Sequence, residues 1–236
     1  GTTSGVGYHA ARRLAEKGAE LVMVCRNREK AERVRDELAS DFGVRTDVVL
    51  ADFSQLDQVR AAAEQILARY ETIDLLVNNV GMHSTTRILT DAGHELVFCV
   101  NHLAPFMLTV LLTERLIAGG PARIIHVNSQ GHRFGGLDPD DLDWHRRTYR
   151  GLKGYGASKT AQLLTLWELA DALRESGVTI NAVHPGAVRS RIGSNNGRLY
   201  RWYDRFLVQP VLKDPEIAAN AIHYLAAAPE LAGVTG

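Results

Sequence analysis

The chain opens GTTSGVGYHAARRLAEKGAELVMVCR over residues 1–26. Its first seven residues, Gly1-Thr2-Thr3-Ser4-Gly5-Val6-Gly7, space their glycines as G-x-x-x-G-x-G. From His9 to Lys17 the pattern turns helical, and residues 20–25 (ELVMVC) form a short apolar run with strand character. A glycine-rich turn entering a helix lets the backbone bend tightly. It also offers free N–H groups and the positive end of the helix dipole to an anion, a phosphate above all. Taken alone the same spacing is a plain strand-to-helix turn, so its meaning depends on the rest of the chain.

Beyond residue 26 the pattern alternates. Strand-like runs recur at 46–51, 73–77, 123–127 and 178–183. Helical spacing fills 27–41, 56–70, 91–118, 155–176 and 215–228. Short apolar strands alternating with helices predict an α/β fold: one doubly wound parallel sheet flanked by helices, in a single domain over 1–236. Two stretches break the rhythm, a polar loop at 131–154 and a segment at 191–213 rich in Gly, Asn, Arg and aromatics. Long loops of this kind are usually functional or disordered.

Composition narrows the classes. The 236 residues are 45% hydrophobic and 23% charged, ordinary for a soluble globular chain. Lys+Arg and Asp+Glu are both 27, so there is no basic excess of the kind a nucleic-acid binder carries. The two cysteines, Cys25 and Cys99, exclude a disulfide framework and a Cys-based zinc site and fit a reducing, cytoplasmic setting. The nine histidines show no clustered ligand spacing, so no metal is expected. The longest apolar stretch, 103–112, is short for a bilayer span and runs into Glu114 and Arg115.

In a dinucleotide fold the end of the strand at 20–25 reads the adenosine ribose. An acidic residue there binds the 2′-hydroxyl of NAD, and an arginine suits the 2′-phosphate of NADP. Cys25 and Arg26 occupy those places, so NADP(H) is favoured over NAD(H).

Together these residues resemble a short-chain dehydrogenase/reductase, a Rossmann-fold family, along the whole of the chain. The opening loop resembles that family's cofactor loop without its leading Thr, with Gly1, Ser4, Gly5, Val6 and Gly7 the implied phosphate-side contacts. Asp52, with Phe53 beside it, matches the position that meets the adenine. Asn78-Asn79-Val80-Gly81 resembles N-N-A-G, with Val80 for Ala adding bulk beside the implied contacts Asn79, Val80 and Gly81. Asn101, Ser129, Tyr155 and Lys159 match the catalytic tetrad, the last two in Y-x-x-x-K. Pro185-Gly186-Ala187-Val188-Arg189-Ser190 resembles P-G-x-V-x-T, with Pro185, Gly186, Val188 and Ser190 as further cofactor contacts. The resemblance also implies a central strand before Gly1 and a closing strand after Gly236. The chain starts without Met inside a glycine loop, and we expect it to be a piece of a longer protein that folds poorly alone, with any leader or anchor out of view.

The residues set out a carbonyl/alcohol chemistry. Tyr155 and Lys159 are four apart on a helix and share a face. An ammonium about 4 Å from a phenol is worth about 4 kcal/mol at an effective dielectric near 20. That is enough to bring the tyrosine toward working pH as the acid/base. Lysine also holds the nicotinamide ribose in relatives; Ser129 stabilises charge on the substrate oxygen, and Asn101 resembles the residue that positions a relay water. Tyr149 and Lys153 repeat the Y-x-x-x-K spacing, but Gly151 and Gly154 are expected to break any helix there. Ser129 with His132 lacks the G-x-S-x-G of a hydrolase.

Tyr155 follows Ser129 by 26 positions. The extra residues, with Asp138, Asp143 and Trp144, resemble the retinol-dehydrogenase-like branch. Residues 199–211 hold Tyr200, Trp202, Tyr203, Phe206 and Leu207, with Arg198, Arg201 and Arg205 in and beside the same stretch. Three readings fit them: a lid over an apolar ketone, aldehyde or alcohol, a helix on the core, or an amphipathic piece at a membrane, the last with least support. Pairing of copies through the helices at 91–118 and 155–176 stays open. The competing class is a non-catalytic dinucleotide-binding sensor or scaffold on the same fold. The intact tetrad argues against it. A sugar-nucleotide epimerase would need a larger region after Pro185.

Overall fold

Among the described residues five strands, all parallel to the neighbours they bond, alternate with helices. The computed structural model describes residues 1–189, 192–193, 196–197 and 212–236. In chain order the elements are α1 (Gly5–Glu16), β1 (Leu21–Cys25), α2 (Arg28–Phe42), β2 (Thr46–Leu50), α3 (Leu56–Leu67) and β3 (Leu75–Asn78). Then come α4 (Leu96–Phe98), a wide π turn (Cys99–Leu103), α5 (Ala104–Ala118), β4 (Arg123–Val127) and a 3₁₀ turn (Gln130–Phe134). The order ends with α6 (Gly151–Ala172), β5 (Thr179–Val183), α7 (Pro215–Ala227) and a 3₁₀ turn (Pro229–Leu231).

The side chains of β4 show the layering. Ile124 packs into a core with Ala62 of α3, Leu112 and Leu116 of α5 and Leu166 of α6. Its neighbour Ile125 points the other way, onto Val6 and Ala10 of α1 and Ala219 and Ile222 of α7. A strand buried on both faces reads as a continuous apolar run, and each such isoleucine contributes on the order of 1.5–3 kcal/mol. A third cluster seats α2, through Ala31, Val34 and Leu38, on Met23 and Cys25 of β1.

The doubly wound sheet is present in two parallel pieces, β1–β2 and β3–β4–β5. Between β1 and β3 lies a slot of about 800 Å³ lined by Leu21, Met23, Leu75, Val77, Leu108 and Leu112. It occupies the place where a central strand is expected. At the far edge the backbone N–H of Gly236 donates to the Ile180 carbonyl (3.0 Å), so the chain's last residues lie along β5.

Two helix boundaries correct the sequence reading. The helix expected over 91–118 begins at Leu96. Gly93 sits at φ 86°, a left-handed turn before it, and the Glu95 carboxylate accepts from the N–H groups of Val97 and Phe98 as the cap. From there helical structure runs unbroken to Ala118. Those 23 residues have a mean hydropathy of 1.9 in their most apolar window, enough by length and composition to cross a membrane. The apolar stretch is therefore longer than residues 103–112 alone. Most of this helical run is buried, with Val97, Leu108 and Leu116 in the core.

The second correction is at α6, which begins at Gly151 and not at Tyr155. Gly151 and Gly154 were expected to break it. They are instead close-packing points: a Cβ on Gly151 would lie 2.5 Å from the Ser84 carbonyl oxygen, and one on Gly154 2.5 Å from the Tyr149 hydroxyl. The helix gives up about 1 kcal/mol of propensity at each glycine and gains contact with its neighbours.

Candidate active site

The ends of β1, β2, β3, β4 and β5 open into one cleft of about 830 Å³. At one side lies the glycine loop. Ser4 is extended (φ −171°) and makes no side-chain cap, and the first turn of α1 holds no acidic residue, so that helix presents bare N–H groups. Gly5 turns the chain at φ 57°. Gly7 faces inward, where a Cβ would fall 2.0 Å from the Gly1 carbonyl oxygen. Its missing side chain lets the loop close on itself rather than on a ligand. The Asn79 amide steadies the loop from the end of β3, donating to that same carbonyl at 3.1 Å.

Beside the loop, Arg26 stands at the end of β1, largely exposed, 3.6 Å from the Asp52 carboxylate. Asp52 also accepts from the backbone N–H (2.9 Å) and hydroxyl (2.8 Å) of Ser54. Asn27 caps α2, accepting from the Lys30 N–H at 2.9 Å, and Lys30 lines the cleft with Arg26. The sequence reading missed Lys30; its place in the first turn of the helix after Arg26 was the available signal. Phe53, Val80, Gly81, Pro185, Gly186 and Val188 also line the cleft. Ser190 and most of the expected lid, 198–211, lie outside the described residues.

The chemistry gathers at α6. Tyr155, Lys159 and Ser129 all line the cleft. The Ser129 hydroxyl oxygen accepts from the Gly131 N–H at 3.0 Å. Gly131 packs flat on Tyr155, where a Cβ would come within 2.4 Å of ring atom Cε1. The ring of His83 stands edge-on to Tyr155, centroids 6.0 Å apart.

The lysine does not do what its spacing predicts. Its Nζ lies 6.0 Å from the tyrosine ring centroid and donates instead to the Val127 carbonyl (2.9 Å) and to Gln162 Oε1 (3.2 Å). Burial pushes Tyr155 up from its ordinary value, opposed only by the Ser129 hydroxyl. The expected acidification by Lys159 is therefore absent from this arrangement. Lys159 itself, fully buried, is lowered to about 8.

Asn101 lies behind the cleft wall, fully buried in the π turn. Its side chain brackets Met82, accepting from the N–H (2.7 Å) and donating to the carbonyl (3.0 Å), and donates also to Ser158 Oγ. It thereby fixes the strand of chain that follows Gly81. Asn128 and Gln162, both buried, complete the group and were not foreseen. Asn128 accepts from the Ser129 N–H (2.6 Å) and donates to the Lys159 carbonyl (3.1 Å). The decoy tyrosine, Tyr149, lies before α6, its ring edge-on to Trp144 and its hydroxyl packed against Gly154. His132 meets the backbone carbonyl of Ser129 (2.9 Å), not its hydroxyl, so no serine–histidine nucleophile pair forms.

The comparisons with known proteins agree with this geometry. The family described as enoyl-(acyl carrier protein) reductase matches residues 1–236. Retinol dehydrogenase 13 of Homo sapiens is 36% identical over 241 residues, covering 100% of this chain and 73% of its own. A Streptomyces sp. (strain C5) protein named as a daunorubicin C-13 ketoreductase, DnrU, is 40% identical, covering 100% of this chain and 79% of its own. Among solved structures, a blue fluorescent protein from a metagenomic library in complex with NADPH is 27% identical with a TM-score of 0.77. The match covers 100% of this chain and 91% of that one.

Proposed function

The chain belongs to the short-chain dehydrogenase/reductase family of oxidoreductases, in its retinol-dehydrogenase-like branch, and on that premise we propose that it interconverts an apolar carbonyl and its alcohol with NADP(H), Tyr155 moving the proton. The carrying observation is that one cleft holds the glycine loop, Arg26, Ser129, Tyr155 and Lys159 together.

The residues present fit a dinucleotide. The uncapped N-terminus of α1 suits the pyrophosphate. Asp52 and Phe53 stand where an adenine would lie, and Arg26 with Lys30 supplies positive charge for a 2′-phosphate. Pro185, Gly186 and Val188 line the same cleft. When bound, the dinucleotide supplies the hydride.

The chain's own side chains do the rest. In reduction the Tyr155 hydroxyl gives its proton to the carbonyl oxygen, and in oxidation the phenolate takes it back. Burial holds that hydroxyl protonated at neutral pH, the form that reduction needs. Ser129, which lines the cleft with Tyr155, donates to the same substrate oxygen as charge grows on it. Lys159 keeps a third N–H for the cleft after its two bonds to Val127 and Gln162. Asn101 holds the wall through Met82.

Met82, Leu96, Val100, Ile192 and Leu212 line the cleft and support an apolar substrate. So do the names of the two relatives, one for retinol and one for a daunorubicin ketone. The test is a fluorescence titration with NADPH and NADH, followed by turnover on apolar and small polar carbonyls, wild type beside Tyr155→Phe. Tighter NADPH binding, activity on bulky apolar carbonyls and a loss of at least about 10²-fold in Tyr155→Phe are expected. Tight binding with no turnover on any carbonyl would overturn the proposal in favour of a sensor.

A further inference from the structure

Gln162 sits one turn beyond Lys159 on α6, is 1% exposed, and reaches no part of the cleft itself. Its amide nevertheless touches three elements that build the site. Oε1 accepts from Lys159 Nζ at 3.2 Å and from Asn128 Nδ2 at 2.9 Å, and Nε2 donates to the Asn101 backbone carbonyl at 3.3 Å. The amide has one permissible orientation. Turned over, its NH₂ would face an ammonium and a second NH₂, donors against donors, while its oxygen faced a carbonyl.

In an α-helix the Asn101 carbonyl would accept from the N–H four residues on, and that residue is Pro105, which has none. The chain widens there into the π turn. Gln162 gives that carbonyl a donor and with its other end holds the lysine. Asn128, held by the same oxygen, fixes the backbone of Ser129 in turn.

We propose that Gln162 is a positioning residue: its amide aims Lys159 Nζ and ties that lysine to Asn101 and Asn128, leaving one N–H directed to the cleft. The inference rests on the function proposed above. Among the described residues the titratable groups around Lys159 are Tyr155 on its own helix, His102 of the π turn and His126 of β4, and no carboxylate offsets its burial. An altered acceptor at 162 therefore acts on the lysine without a competing acidic group.

The variants are Gln162→Leu, which removes both ends of the bridge, and Gln162→Glu, which keeps the acceptor, adds charge and loses the donor to the Asn101 carbonyl. Thermal melts establish that each folds. The readouts are kcat and KM on the best carbonyl, and NADPH affinity by fluorescence from pH 6.5 to 10. For Gln162→Leu we expect kcat to fall on the order of tenfold with KM for the carbonyl within twofold. The alkaline limb of NADPH binding moves to lower pH in Gln162→Leu and about one unit to higher pH in Gln162→Glu. Opposite movements would not come from loosened packing, which is neutral in sign. If Gln162→Leu does not fold, the Glu variant alone decides. Limbs that coincide with wild type in every folded variant overturn the proposal. Should the wild type bind NADPH and reduce no carbonyl, the functional reading fails while the binding limbs still decide the role of Gln162. Should it bind neither dinucleotide, both fall.

Discussion

Replacing Lys159 by Met should raise stability at neutral pH and abolish turnover. The lysine is fully buried, and burial alone lowers it from the ordinary 10.5 to about 8. Such a difference corresponds to about 3 kcal/mol against the charged form in the folded state. Methionine removes that penalty with a stem of similar shape. It also leaves the Val127 carbonyl without this donor, which costs about 1–2 kcal/mol, whereas Gln162 Oε1 keeps Asn128. At pH 7 the variant should therefore be the more stable by about 1–2 kcal/mol. Above pH 8 the sign turns. The folded state loses its proton near 8 and the unfolded state only near 10.5, so across that window the unfolded chain holds more protons and wild-type stability rises with pH. By pH 10.5 the wild type should lead by about 1–2 kcal/mol. Urea unfolding of both proteins at half-unit steps from pH 7 to 10.5 measures the gap, with other ionising groups cancelling between them. A gap that stays constant across the range would refute the argument that an uncompensated buried ammonium sits at this position.

Arg26→Ala should weaken NADPH binding about tenfold to a hundredfold and leave NADH within twofold, by fluorescence titration; equal losses would remove Arg26 from the 2′-phosphate. Gly131→Ala places a methyl group 2.4 Å from the Tyr155 ring, so kcat should fall at least about tenfold while NADPH affinity holds. Unchanged kcat would mean that the loop, not the ring, gives way. His126 is buried and held down to about 3, mainly by burial. As pH falls from 6.5 the unfolded chain takes up a proton that the folded chain refuses, so stability should drop by several kcal/mol by pH 3. The slope should flatten in His126→Gln, and an equal slope in acid unfolding of the variant would assign it elsewhere.

What sequence could convey here was order. The glycine spacing, Arg26 after β1, and the set Ser129, Tyr155, Lys159 fall on strand ends and one helix face because a parallel sheet delivers every strand's C-terminal end to the same side. The glycine loop and Arg26 were legible from period and spacing and the rest through the family resemblance, and all but Asn101 among the described residues line one cleft. What spacing does not carry is the direction of a flexible side chain. Lys159 and Tyr155 share a helix face, yet four methylenes let the ammonium turn to Val127 and Gln162. Nor does helix propensity see tertiary contact: Gly151 and Gly154 look like breakers until Ser84 and Tyr149 are found against them. Gln162 and Asn128 were missed for a similar reason, since a buried amide has no periodic signature. Pro105, four residues after Asn101, was the available clue, a carbonyl without its helical donor.

The loop at 131–154 resolves into a wall rather than a flap, and its polar residues are the cause. The Asp141 carboxylate, buried, accepts from the N–H groups of His145 (2.7 Å) and Arg146 (3.2 Å) and from Arg147 Nε (3.0 Å). The Arg147 guanidinium lies 4.1 Å above the Trp144 ring, which holds that residue at φ 58°, a conformation tryptophan rarely adopts. Asp143 fastens the loop outward, accepting from the Glu95 N–H (2.8 Å) with its side chain and from Arg87 with its backbone carbonyl (2.7 Å). The Glu95 carboxylate in turn caps the helix that leads to Asn101. At its near end the loop lays Gly131 on the Tyr155 ring. Packing at one end and hydrogen bonds at the other thus join the loop to the face of the candidate acid and to the helix start behind it. Of these anchors the Asp141 carboxylate is buried and would cost about 1–3 kcal/mol if left without partners, while Asp143, Arg87 and Arg147 are partly exposed and count for less. Held at these several points, the loop gives this side of the cleft its shape.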